Sequence, residues 1–234
     1  MNVLKKSWTP AAIRRLAATL LAGCLLLPAV ASANLITNGD FEGAGITSGG
    51  FAVNTASTYN KWLDVNQWQQ VCDASNCFAQ HVSPTSDNTN LLFQGFDATG
   101  LTAGTTLNIA FDYAFAQASG AKQFRIYGLN ADGTLSQFAP FPVTNGSLLE
   151  TFTLAQVASL TSYSTTYTLT GEYSAIVIGF YFGSGPGGSE ALRAVDNVMV
   201  TASVPTPAPL ALFGLGLFLV GLSRTLRTRT RQLI

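Results

Sequence analysis

Few groups in this chain could do chemistry: one histidine, His81, three cysteines and 12 acidic residues in 234 positions. Cys72 and Cys77 bracket "CDASNC", a spacing that closes a short disulfide loop in an oxidising compartment and pins a turn. Together with His81 they offer a metal three ligands at most, without the spacing of a zinc site. A Ser-His-Asp hydrolase lacks parts, because no nucleophile-elbow motif accompanies the single histidine. A carboxylate pair drawn from Asp112, Glu150 and Glu172 would be the one route to glycoside cleavage. Most carboxylates of an acidic domain are solubilising surface charges, so the chain is read as a non-enzyme.

The remaining chemistry is aromatic. The stretch "GGFAVNTASTYNKWLDVNQWQQ" gathers Phe51, Tyr59, Trp62 and Trp68. An exposed ring of this set would stack on the axial C–H face of a sugar, which makes Trp62, Trp68 and Tyr59 the glycan candidates. Core packing is the alternative, and it is the commoner fate of large aromatics. "GSGPGG" at Gly183 to Gly188 matches a phosphate-loop spacing but leads into a strand, so no helix N-terminus stands ready to cradle a phosphate. "NGS" at Asn145 to Ser147 reads as a turn.

The elements that must position these groups are strands. In "TLNIAFDYAF", Leu107, Ile109, Phe111, Tyr113 and Phe115 share one face, with Asn108 and Asp112 on the other. "KQFRIYGL" followed by "NADG" and "TLSQF" predicts a hairpin. Further strands are predicted at "LLETFTL", "STTYTLT", "AIVIGFYF" and "AVDNVMVT", the third apolar enough for the centre of a sheet. The only helical signal is a short turn at Leu154 to Leu160. Eight or more short strands with sparse helix predict an all-β fold, a two-sheet antiparallel β-sandwich or jelly roll.

Charge divides the chain into three parts. Residues 1–33 read as a signal peptide: Lys5, Lys6, Arg14 and Arg15, an apolar run from Leu16 to Val30, then a small-residue cleavage site. "LAGC" ending at Cys24 also resembles a lipobox, which would place a lipid on that cysteine, although the apolar run continues beyond it. Residues 34–203 form the predicted sandwich domain, with four basic residues against all 12 acidic ones, a net charge of −8. Such a body repels phosphate backbones and excludes nucleic acid as a partner. Residues 204–234 run from a proline-rich hinge through an apolar segment to Arg224, Arg227, Arg229 and Arg231. As a helix, Pro209 to Leu222 would reach about 21 Å, short of the ~30 Å hydrocarbon core, so the segment suits transient insertion better than a permanent span.

Two resemblances follow. "NLITNGDFEG", from Asn34 to Gly43, resembles the opening of galactose-binding-like jelly rolls, a group that includes carbohydrate-binding modules, and Asp196-Asn197-Val198 matches their late apolar strand. The resemblance implies first and last strands lying close together and a structural calcium there, with Glu42, Asp196 and Asp40 as side-chain ligands; turn and capping roles are the other reading of these residues. The C-terminal segment resembles the PEP-CTERM sorting signal, beginning at Val204, Pro205, Thr206 and Pro207, with threonine where the named motif has glutamate. That resemblance implies an exosortase-like membrane transpeptidase as partner and a cell-surface or extracellular-matrix location in a Gram-negative bacterium, in contact with exopolysaccharide. The expected function is therefore a sorted, non-enzymatic matrix protein that binds glycan. A structural or adhesive protein without sugar binding, and a C-terminally anchored surface domain, are the alternatives.

Overall fold

A computed structural model describes residues 33–203 except 44, 54, 56–57, 65–67, 74, 83–90, 117–119, 137–140 and 183–191. The signal peptide with Cys24, the "GSGPGG" loop and the sorting motif Val204 to Pro207 lie outside the described residues. Ser32–Val204 forms one compact unit.

Among the described residues twelve strands build two sheets: β1 (Thr47–Ser48), β2 (Phe51–Ala52), β3 (Leu63–Asp64), β4 (Trp68–Cys72), β5 (Cys77–His81), β6 (Leu91–Asp97), β7 (Thr106–Phe115), β8 (Lys122–Leu135), β9 (Val143–Thr153), β10 (Val157–Thr168), β11 (Ala175–Phe182) and β12 (Arg193–Ser203). The five-stranded sheet runs β10-β7-β12-β5-β4; the seven-stranded sheet runs β1-β3-β6-β11-β8-β2, with β9 also on β8. Pairing is antiparallel apart from β1 with β3. The fold is thus the all-β two-sheet sandwich expected.

Strand alternation explains the core. Leu107, Ile109, Phe111, Tyr113 and Phe115 of β7 are all buried in the main cluster, where they meet Phe124 and Ile126 of β8 and Ile176, Ile178, Phe180 and Phe182 of β11. The other face of β11 is also covered, because Ala175 and Val177 join Phe51, Leu63, Leu91, Phe93, Tyr127, Leu129, Leu135 and Phe141 in a second apolar cluster. A strand apolar on every position is what burial of both faces requires, and β11 lies between β6 and β8.

Two local expectations are corrected. β8 does not fold back at "NADG": it continues from Lys122 to Leu135, and its pairing with β9 skips between Leu129 and Thr134. Asp132 takes φ +60°, a conformation in which a short polar residue is tolerated, so the turn chemistry is spent on a bulge. The helical turn at Leu154 to Leu160 is absent; extended β10 starts at Val157.

Candidate ligand-binding site

The two resemblance motifs meet and close the sandwich. Leu35 N donates to Val200 O at 2.7 Å, and Asn34 Oδ1 accepts from the amides of Ile36 (3.1 Å) and Val200 (2.9 Å). Where β12 slips register against β7 between Asp196 and Met199, Val198 N is turned to Gly39 O at 2.8 Å. The approach is so close that a Cβ on Gly39 would lie 1.9 Å from Val198 O, which accounts for the glycine of the "NGDFE" motif.

The three carboxylates proposed for calcium sit beside this latch. Asp196 is buried; its Oδ2 accepts from Asn76 Nδ2 at 2.9 Å and its Oδ1 from Asn197 N at 2.7 Å. Burial, with lesser repulsion from Asp112 and Asp40, pushes its carboxyl above the usual range. Glu42 Oε1 accepts from Cys77 N at 2.7 Å, and Asp40 Oδ1 from Glu42 N at 3.3 Å. The donors are of the hard-oxygen type a calcium ion takes, yet each is occupied by a nitrogen donor, and among the described residues no three His, Cys, Asp or Glu side chains converge on one point. Thermal unfolding with 10 mM calcium against chelator tests the site: a millimolar site would add about 1.4 kcal/mol, a rise of roughly 4 °C, and an equal midpoint would refute it. Cys72 and Cys77 form a disulfide across β4 and β5, next to Glu42.

Two of the three aromatic candidates, Trp62 and Trp68, are corrected. Trp62 and Trp68 are 2% and 3% exposed, so neither offers a face to a sugar. Trp62 packs against Phe41 and Phe180, with ring centroids at 5.0 and 6.2 Å, and donates from Nε1 to Asn38 O at 2.9 Å. Trp68 enters the same cluster from the other sheet, against Phe182 and the edge of His81. The two do not share a continuous strand. Tyr59 is half-buried and packs on Phe51 at 5.0 Å; burial first, and the charge of Asp97 second, raise its hydroxyl pKa.

His81 is a buried structural group. Its Nδ1 lies 3.1 Å from Nη1 of buried Arg193, and since a guanidinium only donates, Nδ1 is the accepting nitrogen. Burial, and then the positive charge of Arg193, push its pKa down to about 4. The unfolded chain therefore takes up a proton first as pH falls, so His81 contributes stability present above about pH 6.5 and lost on the way to about pH 4. The full loss is on the order of 3 kcal/mol. Urea unfolding at pH 7 and pH 4 should show this drop in the native protein, less whatever Asp196 returns by its opposite shift, and His81→Gln should flatten it by the same amount. Equal slopes in the two proteins would refute the assignment.

Two of the concavities on the described surface take in candidate residues. The larger, a cleft of about 300 Å³, is lined by Thr99 to Thr102, Asn130, Glu172, Tyr173 and Ser174, where the β6–β7 and β10–β11 connections meet the bulge of β8. Its walls are tied down: Asp97 Oδ1 accepts from Thr99 N at 2.8 Å, Thr102 N donates to Thr105 Oγ1 at 3.2 Å, and Ser174 N to Leu129 O at 2.8 Å. Half-buried Tyr173 lays its ring over Gly128, where a Cβ would come within 2.5 Å of it. Exposed Glu172 and Asn130 stand beside that ring. One carboxylate, one carboxamide, hydroxyls and an aromatic edge match the donors and acceptors of a sugar.

The smaller hollow, about 190 Å³, lies on the five-stranded sheet, where Asp112 accepts from Ser162 Oγ at 2.6 Å and Asn197 Nδ2 at 2.9 Å. Asp112, Glu150 and Glu172 thus occupy β7, β9 and the β10–β11 connection, and each hollow holds only one of them. Sequence reasoning passed over Tyr173, Asn130 and Thr99. The available signal was an aromatic in "GEYS" and turn residues in "DATG", both between strands.

No protein-family model matches the chain, and no curated protein matches it. Among solved structures it is similar to a putative sugar binding protein from Bacteroides thetaiotaomicron, at 12% identity and TM-score 0.49 over 73% of this chain and 100% of that one. It is also similar to a CBM4 structure, at 18% identity and TM-score 0.46 over 72% of this chain and 99% of that one. A family 16 carbohydrate binding module gives 16% identity and TM-score 0.39 over 71% and 99%. Likenesses at this level carry no ligand from one chain to another.

Proposed function

We propose that this chain is an exported, non-enzymatic glycan-binding protein, sorted to the cell surface or extracellular matrix of a Gram-negative bacterium, where it meets exopolysaccharide. The observation that carries the binding half is the cleft of about 300 Å³, with Tyr173, Glu172 and Asn130 on walls held by hydrogen bonds. The delivery half rests on the sequence: an acidic body between an N-terminal signal and a hinge, apolar segment and arginine tail of PEP-CTERM type. The arginines would hold the tail on the cytoplasmic side while an exosortase-like transpeptidase cuts near the prolines.

Binding of the host's exopolysaccharide fragments to the mature protein tests the first half. Glu172→Ala and Asn130→Ala are each expected to weaken it about ten-fold with the unfolding midpoint unchanged, the effect of losing one hydrogen bond to a charged or polar partner. Unchanged affinity in both would leave a structural matrix protein. Intact mass from membrane, surface and secreted fractions tests the second half. A surface form ending near Val204 to Pro209 is expected, and a membrane form that retains Arg231 would make the chain a tail-anchored domain.

A further inference from the structure

We infer a second binding site, specific for the carboxylate of a uronic acid residue, at Arg125 on the side of the seven-stranded sheet that faces away from the main core. Along β8, Phe124 and Ile126 enter the main core, so Arg125 and Tyr127 turn to the opposite face with the second apolar cluster. There the guanidinium is stacked: its Cζ lies 4.7 Å from the ring centre of Tyr181 and 5.5 Å from that of Phe141. Gln123 Oε1 accepts from Nε at 2.9 Å and from Nη2 at 2.6 Å, which fixes the plane of the group. Nη1 lies 3.4 Å from the Tyr127 hydroxyl, a long contact.

A guanidinium has five N–H donors in a rigid fork. Gln123 takes the side-on edge, one donor from Nε and one from Nη2, and the Tyr127 hydroxyl takes one from Nη1, which leaves one donor on Nη1 and one on Nη2 for the end-on edge. Two parallel donors at that spacing are the bidentate complement of a carboxylate. Among the described residues no carboxylate pairs with Arg125, although the body carries 12 acidic residues and four basic ones. The side chain is half-buried, so its conformational freedom is already given up before a ligand arrives. The choice of a sugar carboxylate rests on the proposal that this domain meets polysaccharide. The fork itself requires only a carboxylate, so the test separates the two.

The probes are a galacturonic acid trimer, the same trimer with its carboxyls reduced to alcohols, and tricarballylate, a carboxylate without a sugar ring, each titrated calorimetrically into the mature protein. The acidic trimer is expected to bind at least ten-fold more tightly than the reduced trimer and than tricarballylate. Arg125→Met, which keeps the aliphatic packing, should abolish the acidic-trimer signal, and Arg125→Lys, which keeps the charge and loses the fork, should weaken it at least ten-fold. The reduced trimer keeps the sugar rings and lacks the carboxylates, so it reports the cleft alone, and failure of the cleft and failure of this site read out separately. Equal binding of the acidic and reduced trimers would overturn the proposal without any variant. Equal binding of tricarballylate would overturn the sugar assignment.

Discussion

Gly39→Ala is expected to cost about 3 kcal/mol or more, a large share of the stability of an ordinary domain. The added carbon would stand 1.9 Å from the carbonyl oxygen of Val198 and 2.9 Å from its carbonyl carbon. Both are main-chain atoms of β12 at its register break, so no rotamer change relieves the collision. Backing the two segments apart would break the bond from Val198 N to Gly39 O and loosen the neighbouring pair between Leu35 and Val200. Gly45→Ala is the control, because its nearest neighbour is the end of the flexible Gln70 side chain at 3.3 Å, and it should change stability by under about 1 kcal/mol. Urea midpoints decide the matter. A Gly39→Ala protein as stable as the parent would mean that the two ends of the domain do not touch.

Trp62→Ala is expected to destabilise by about 3–5 kcal/mol, the usual range for deleting a fully buried large aromatic. The loss has two parts: a cavity facing Phe41 and Phe180, and Asn38 O stripped of the indole donor. Trp62→Phe refills most of the volume and should cost only about 1–3 kcal/mol, chiefly for the lost indole hydrogen bond, since Asn38 O still accepts from Phe41 N at 3.2 Å. It should also leave glycan affinity unchanged, since the indole is not on the surface. A stable Trp62→Ala protein that has lost sugar binding would put the ring back in a binding platform. The same logic warns against tryptophan-to-alanine scans as binding tests in this domain: they would report unfolding.

How far the sequence could be read depends on which force set each element. Alternation in "TLNIAFDYAF" is imposed by one buried face, and β7 follows it residue for residue. The continuous apolar run of β11 reads correctly as central because two covered faces leave no place for a polar residue. "NADG" was misread because the same residues that close a type I′ turn also suit a bulge, and only pairing with β9, distant information at that point in the chain, decides between them. Trp62 and Trp68 stand in one aromatic stretch and were alike as glycan candidates, yet one precedes β3 and the other opens β4 in the opposite sheet. The cleft was illegible for a further reason. Its residues come from three separate connections, and no local pattern tells that Thr99, Asn130 and Tyr173 will stand together.

The position of β12 has a mechanical meaning. Its last residue, Ser203, is the natural point of load for a surface domain held through its C-terminal side. The strand is interior to the five-stranded sheet, paired with β7 from Arg193 to Ser203 and with β5 at Ala194 and Val195, and clasped near its end by Asn34 and Leu35. Tension along β12 would have to shear these bonds together, whereas an edge strand such as β10 would peel one bond at a time. For a domain held as proposed, load on its C-terminal side is thus shared by several bonds at once.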